Sequence, residues 1–417
     1  MALAVATTLP ALILRLGGGT LDHPIEALAF GGAVVGAAFL LSWAAEAAQL
    51  DISAGLAIAV LAFIAVLPEY AVDVVFAGKA GAAVAAHGAS CVPPGSTEAS
   101  PCSLALANMT GSNRLLIGIG WSMVVFVAWW QWRRRGQRRN EIRLERSHSV
   151  ELAFLALATI YSLALPLRRT ISLLDAVVLV SIFAAYTWRI ARAPAEEPHL
   201  VGPARYIGCF SVAGRRAAVT AMLVFSAGVI LLCAEHFAEA LVGTGAEFGI
   251  SEFLLVQWLA PLASEAPELL VAGLYAWRLN TNAGLGTLVS AKVNQWTLLV
   301  GTLPIVFAIT SSRVHGLPID ATQREELLLT AAQSAFAMMI LANLSITVRE
   351  ALALFCLFWA QFVVGAVVPS SAHGTERIVV AVAYLVLAAG ILVRDRRRLP
   401  ALMHDGFLAS HAELRSQ

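Results

Sequence analysis

Long apolar segments recur along the whole chain, and they constrain its fold more than any other feature. A transmembrane helix needs about 20 mostly apolar residues. Segments of that kind occupy residues 26–48, 52–80, 103–131, 150–166, 171–190, 217–242, 250–277, 283–311, 325–346, 350–368 and 376–394. The chain is 59% hydrophobic and only 13% charged, whereas soluble domains carry about 25% charged residues. The sequence therefore predicts an all-α polytopic membrane protein with about 11 transmembrane helices. It excludes a soluble enzyme, a disordered chain and a nucleic-acid binder.

Arginine-rich segments indicate how the chain is oriented in the lipid bilayer. Loop 132–149, linker 191–216 and the start of tail 395–417 carry most of the clustered arginines. Because arginine accumulates on the cytoplasmic side, and eleven spans put all three segments on one side, we expect all three to be cytoplasmic in the plasma (inner) membrane. The loop between Cys91 and Cys102 then lies outside, where a disulfide is allowed. Residues 2–16 are apolar but too short to span, and are interpreted as a surface or half-inserted helix.

Two halves of the chain carry the same pattern. The polar, proline-rich linker 191–216 separates a five-helix repeat at 26–190 from a second at 217–368, and one extra helix follows at 376–394. Each repeat pairs a helix that has a mid-membrane proline–glutamate step with a helix of small polar residues, at about 52–131 and 250–311. An odd number of spans between the two starts gives the repeats opposite topology, an arrangement common in secondary transporters.

Carboxylates deep within apolar helices are the first candidate site residues. Glu69 and Asp73 are four residues apart and Glu265 and Glu268 three apart, so each pair lies on one helix face. A carboxylate at the bilayer centre costs about 2.5–3.5 kcal/mol, so it needs a cation, a proton or a polar cavity. Oxygen ligands of this kind suit calcium, sodium or protons. For Asp73 and Glu265, neutralisation of a basic neighbour is the alternative interpretation.

Small polar residues on two further helices complete the candidate ligand set. They are Asn108, Ser112 and Asn113 in the first repeat and Ser290 in the second. Such a stripe alone usually serves helix packing, but opposite buried carboxylates in both halves it indicates the lining of a site. No ATP-binding or hydrolase motif occurs, so the sequence predicts no ATP coupling and no nucleic-acid partner.

These residues resemble the cation/calcium exchanger superfamily, which includes the sodium/calcium exchangers. Leu67-Pro68-Glu69 and Ala266-Pro267-Glu268 match the two copies of its leucine-proline-glutamate signature, and Gly111-Ser112-Asn113 matches its glycine-serine-asparagine element, with Asn108 upstream. The resemblance covers roughly residues 26–368. It implies a secondary active antiporter that moves Ca²⁺ or a similar cation against Na⁺ or H⁺ by alternating access, with inorganic cations as partners and no permanently bound cofactor.

Some positions depart from the family pattern. Ala65 and Val66 stand where two hydroxyl ligands are expected, Lys292 replaces the second ligating asparagine, and Arg114 adds a charge after Asn113. A buried lysine can lose its proton whereas an arginine stays charged, so Lys292 can act as a surrogate cation, or else form a static salt bridge. The sequence leaves two alternatives, a sodium/proton exchanger that uses Lys292 and a non-transporting scaffold on the same fold.

Overall fold

The computed structural model of the chain describes residues 1–51, 67–88, 91–92, 100–193, 200, 202–367 and 372–415. Three predicted features lie partly or wholly outside these residues. They are the first part of the 52–80 helix with Ala65 and Val66, the polar residues 93–99, and residues 194–199 of the linker.

The described chain is almost entirely helical. Up to the linker the helices are α1 (Ala2–Ala6), α2 (Leu9–Gly17), α3 (His23–Ala48), α4 (Leu67–His87), α5 (Pro101–Leu115), α6 (Ser122–Arg134), α7 (Ser149–Ser162) and α8 (Leu173–Ile190). After it come α9 (Pro203–Gly208), α10 (Val212–Phe248), α11 (Glu252–Trp277), α12 (Thr281–Asn294), α13 (Val300–Ser311), α14 (Ala321–Leu341), α15 (Val348–Val367), α16 (His373–Asp395), α17 (Leu399–Phe407) and α18 (His411–Arg415). Short strands are β1 (Glu141–Arg143), β2 (Thr170–Ile171), β3 (Leu317–Pro318) and β4 (Ser345–Thr347).

Seven helical stretches among the described residues are long and apolar enough to cross a membrane. They are His23–Ala48, Pro101–Arg134, Arg146–Leu167, Leu173–Ile190, Val212–Phe248, Thr281–Ser311 and His373–Asp395. The predicted spans 250–277, 325–346 and 350–368 are present as helices α11, α14 and α15. The all-α polytopic fold is therefore confirmed, whereas the count of eleven spans stays a prediction.

The linker and the tail hold more structure than the sequence suggested. Helix α10 begins at Val212, where the Ser211 side chain accepts a hydrogen bond from the Gly214 N–H. Arg215 in its first turn bonds Asp51 at 2.7 and 2.9 Å, which lowers the pKa of that carboxyl from its ordinary value. The predicted tail folds into α17 and α18, and Arg146 holds Asp405 of α17 at 2.8–3.0 Å. A local cap and ion pairs between distant segments order these residues, and the ion pairs leave no pattern in the sequence.

The described residues form two compact units, and neither unit corresponds to one half of the sequence. The first contains residues 1–112, 190–268 and 302–317, and the second contains 113–189, 269–301 and 318–417. Each unit thus takes segments from both predicted repeats. The boundaries of the repeats themselves stay a prediction.

Small residues hold the helices of the first unit close together. Helix α3 packs along α10, and a Cβ added at Gly31 would come within 2.8 Å of the Phe237 ring. Alanines of α3, among them Ala44 and Ala47, are fully buried in the same contact region. Close approach of backbones is the usual means of helix association in membranes, where lipid is as apolar as the side chains.

The second unit contains two π-helical segments at matching places. Residues Leu116–Trp121 follow α5, and residues Gln295–Leu299 follow α12. Asn113 and Lys292 occupy equivalent positions in the two predicted repeats. One π-helical segment begins three residues after Asn113, and the other begins three residues after Lys292. Single π turns inside α-helices are found frequently at functional sites.

Gly111 makes the tightest helix contact beside the candidate site. A Cβ at this position would overlap the backbone carbonyl oxygen of Gln257 on α11. That carbonyl lies one turn before Pro261, which has no N–H to donate to it. The glycine therefore lets α5 lie directly against the proline-interrupted turn of α11.

We predict that Gly111→Val lowers the free energy of unfolding by about 1–3 kcal/mol, because the added methyl groups overpack a backbone contact. Gly228→Val on α10 is the matched control, since nothing lies within 4 Å of that site. Thermal unfolding of the purified protein measures both variants. Equal melting temperatures for the two would contradict the packing described here.

Candidate cation site

Three glutamates come together within the first compact unit. Glu69 lies on α4, and Glu265 and Glu268 lie on α11, with one carboxylate oxygen from each within 4.8 Å of the others. Glu69 is 2% exposed and Glu265 is 1% exposed. Three like charges at this separation repel strongly in a medium of low dielectric constant. The arrangement is therefore a place where positive charge, as a cation or as protons, is needed.

Local sequence explains why α11 presents two of these carboxylates. Glu265 and Glu268 are three residues apart and share one face of the helix. Pro261 and Pro267 both lie inside α11, and each deprives a carbonyl four residues earlier of its usual donor. The Ser264 hydroxyl lies 3.3 Å from the carbonyl oxygens of Ala260 and Pro261 and donates to this disturbed turn.

Asp73 is held by the helix of small polar residues. The side-chain amide of Asn108 on α5 donates to Asp73 Oδ1 at 2.8 Å. Asp73 lies one turn after Glu69 on the same face of α4. The contact with Asn108 therefore holds the Asp73 carboxylate in place beside Glu69. The sequence predicted both residues as ligands, and the structure joins them to each other.

Several buried oxygens of the predicted ligands accept no hydrogen bond from the described part of the chain. These atoms are Glu69 Oε2, Glu268 Oε2, Asp73 Oδ2, Asn108 Oδ1 and Ser112 Oγ. An unsatisfied buried polar atom costs about 1–3 kcal/mol, and the large majority of buried side-chain polar atoms have a partner in folded proteins. Five such oxygens on α4, α5 and α11 are the donor chemistry that a hard cation requires.

Lys292 lies in the second compact unit and bonds the residue that the repeat pattern pairs with it. Its Nζ donates to both the backbone oxygen and Oδ1 of Asn113 at 2.6 Å. Ser290, on the same helix, shares a hydrogen bond of 3.1 Å with the Tyr186 hydroxyl. The Asn113 and Ser290 oxygens predicted as ligands are thus engaged by protein groups of their own unit.

Arg114 pairs with a carboxylate that the sequence did not predict as its partner. Its guanidinium lies 2.7 Å from Glu326 on α14 and also contacts Gln361. Glu326 in turn lies 2.7 Å from Arg377 on α16. A charged side chain within a span requires a counter-charge, so Arg114 itself indicated that a carboxylate lies near it. Nothing in the sequence identified Glu326 as that carboxylate.

Two further polar residues of the first unit were not predicted from the sequence. The Tyr70 hydroxyl, next to Glu69 in the chain, accepts a hydrogen bond from Thr302 at 3.0 Å. The Gln257 amide lies 3.4 Å from the Thr110 hydroxyl. Both contacts join α4 or α5 to helices of the second half of the chain, a pairing that spacing along the sequence does not reveal.

Comparison with known proteins identifies the family of this chain. The profile of the sodium/calcium exchanger protein family matches residues 25–191 and 218–368. The crystal structure of the H⁺/Ca²⁺ exchanger CAX is 40% identical, with a TM-score of 0.87 over 99% of this chain and 97% of that one. No curated protein sequence matches the chain.

More distant structures share the fold alone. Native YfkE is 14% identical, with a TM-score of 0.59 over 93% of this chain and 99% of that one. The sodium-calcium exchanger NCX_Mj is 16% identical, with a TM-score of 0.50 over 87% and 98%.

The fold and the family match define this protein as a membrane antiporter for cations and not an enzyme. The chain belongs to the sodium/calcium exchanger family. The resemblance inferred from the proline–glutamate and glycine-serine-asparagine motifs is thereby confirmed.

Proposed function

We propose that this antiporter carries Ca²⁺ in exchange for H⁺. The observation that supports the cargo most directly is the triad of Glu69, Glu265 and Glu268 within 4.8 Å. Ca²⁺ takes six to eight oxygen ligands from carboxylates, amides and hydroxyls. The unpartnered oxygens of Asp73, Asn108 and Ser112, from neighbouring turns of the same unit, extend the set beyond the three glutamates.

The counter-ion follows from the same electrostatics. With no cation bound, three adjacent carboxylates in a low-dielectric interior share protons instead of all ionising. Arrival of a divalent cation expels those protons, and their return expels the cation, so one site serves both ions in alternation. The 40% identity over 99% of the chain to a protein described as an H⁺/Ca²⁺ exchanger supports protons over sodium.

The proposed exchange requires that one buried site opens alternately to the two faces of the membrane. Helix α11 is the element suited to such a change, because two prolines interrupt its hydrogen-bond ladder where Glu265 and Glu268 lie. We place loop 132–149, linker 191–216 and the C-terminus on the cytoplasmic side of the inner membrane. The loop that ends at Cys91 and Cys102 then faces outside.

We assign Lys292 the role of a modulating charge. Its ammonium group stands where the repeat pattern calls for a ligating asparagine, and it holds Asn113 Oδ1 at 2.6 Å. That oxygen is then withdrawn from any cation. Fewer oxygen ligands for monovalent ions again favour a carrier that couples Ca²⁺ to protons.

The test of this function is ⁴⁵Ca²⁺ uptake into proteoliposomes that contain the purified full-length chain. We expect an outward proton gradient to drive uptake with the membrane potential clamped, and an outward sodium gradient at equal pH to leave uptake near background. Uptake that is driven by the sodium gradient and not by the proton gradient would show that H⁺ is not the counter-ion.

Glu69→Gln and Glu268→Gln are each expected to weaken Ca²⁺ binding by on the order of 100-fold, the equivalent of about 3 kcal/mol for a lost buried charge pair. Glu247→Gln is the control, because this carboxylate is 43% exposed and lies 4.0 Å from His23. Calorimetric titration with Ca²⁺ gives the affinities. If the Glu69 and Glu268 variants bind like the control, the triad is not the Ca²⁺ site.

For Lys292, we predict that Lys292→Asn tightens cation binding and changes the charge moved per cycle, because it removes a cation and frees Asn113 Oδ1. Lys292→Arg is expected to slow turnover, since guanidinium cannot release its proton. Flux against pH, with membrane current recorded, compares both variants with the wild type. Identical pH profiles and identical current per ion in all three proteins would leave Lys292 a purely structural residue.

Labelling with a membrane-impermeant maleimide tests the topology. We expect Gln137→Cys, in a background with Cys209, Cys233 and Cys356 replaced by serine, to react only after the cells are opened. Ser100→Cys, in the loop between the bonded and buried Cys91 and Cys102, is expected to react from outside in the same background. Reaction of both loops from the same face rules out the eleven-span arrangement.

A further inference from the structure

An arginine-lined cavity lies within the second compact unit. Its volume is about 1010 Å³, and its walls come from the end of α6, the loop that leads into β1, the start of α12 and the start of α15. Strand β1 pairs antiparallel with β4, with Ile142 opposite Ile346, and this pairing brings the distant segments together. The cavity is a tertiary feature made from three separate stretches of the chain.

Positive charge dominates the walls of this cavity. Arg133, Arg138, Arg139, Arg143 and Arg349 line it. Glu141 is the one acidic residue among the described lining residues, and it forms a salt bridge of 2.7 Å with Arg143. Within the part of the chain that the structure describes, no carboxylate pairs with Arg138, Arg139 or Arg349. The lining thus carries four more positive charges than negative ones.

The first residues of two helices also line the cavity. Helix α12 begins at Thr281 and α15 begins at Val348, and both residues are in the lining. The partial positive charge at a helix N-terminus favours anions and disfavours cations. Arg349, in the first turn of α15, therefore lies where the helix dipole opposes it, and an anion in the cavity would relieve both charges.

The position of the cavity along α6 indicates the depth at which it lies. Trp129 and Trp132, in the last turns of α6, are part of the lining, and the Arg133 guanidinium lies 5.4 Å from the centre of the Trp129 ring. Helix α6 forms the C-terminal part of the candidate membrane span Pro101–Arg134. Tryptophan is enriched at the level of lipid headgroups, so the cavity opens where a headgroup phosphate lies.

We propose that this cavity binds a phosphate group and that its source is the headgroup of an anionic phospholipid. Arginine's planar fork recognises phosphate oxygens in pairs, and basic pockets at the cytoplasmic ends of membrane helices are suited to such headgroups. If these arginines served only to set the topology, it would be enough that they lie on one side of the membrane. Their convergence on one cavity with Arg349, from a different segment of the chain, is not required for that role.

Binding of a soluble short-chain phosphatidylglycerol to the full-length protein in neutral detergent tests the proposal. Phosphatidylcholine of the same chain length, inorganic phosphate and glycerol phosphate form the other arms of the titration. Arg138→Gln/Arg139→Gln/Arg349→Gln is expected to weaken phosphatidylglycerol binding by on the order of 100-fold, since each arginine near an anionic headgroup contributes about fivefold. If that variant fails to fold, Arg349→Gln alone is measured, with about a fivefold loss expected.

Arg135→Gln/Arg396→Gln/Arg397→Gln is the matched control, because it removes the same charge from exposed arginines outside the cavity. The proposal predicts that this control keeps the wild-type affinity and that phosphatidylcholine does not bind. Equal losses in the two triple variants would mean general surface attraction and would overturn it. Binding of inorganic phosphate or glycerol phosphate without phosphatidylglycerol would keep a phosphate cavity but overturn the lipid source.

Discussion

Repulsion among carboxylates inside a membrane is the constraint on which the rest of this structure depends. Glu69, Glu265 and Glu268 approach within 4.8 Å in a buried place, and such a group is stable only with positive charge at hand. Among the described residues, no lysine or arginine lies at hydrogen-bonding distance from Glu69 or Glu268, and one buried oxygen of each, Oε2, has no protein donor. A mobile cation or protons can therefore supply the charge.

The basic residues nearest in sequence to the polar motifs are each tied elsewhere. Arg114 is balanced by Glu326, which also binds Arg377, and Lys292 is bonded to Asn113. Fixed charges in an apolar interior need such partners. Arg114 and Lys292 are thus held by protein contacts, whereas Glu69, Asp73 and Glu268 each keep a buried oxygen without a donor among the described residues.

Interruptions of regular helix accompany both groups of residues. Pro261 and Pro267 disturb α11 beside Glu265 and Glu268, and π turns follow Asn113 and Lys292. Each interruption alters which backbone carbonyls have donors and which way the next side chains point. Gly111 allows α5 to lie against the turn before Pro261. Irregular backbone is tolerated within a membrane where protein or a polar cavity surrounds it, as around these carboxylates.

The sequence by itself determined the class of fold, because apolar segments of spanning length and mid-membrane carboxylates each have few physical solutions. It also pointed to Glu69 and Glu268 as partners although 199 positions separate them, since both follow a proline in the same motif. Only the tertiary structure decided which residues meet: that Asn108 bonds Asp73, that Glu326 balances Arg114, and that Arg349 joins the arginines that follow α6. Helical periodicity fixes the face on which a side chain lies, but the neighbour that faces it depends on how the helices pack. That packing is set by contacts such as Gly111 against Gln257, which no spacing along the chain encodes.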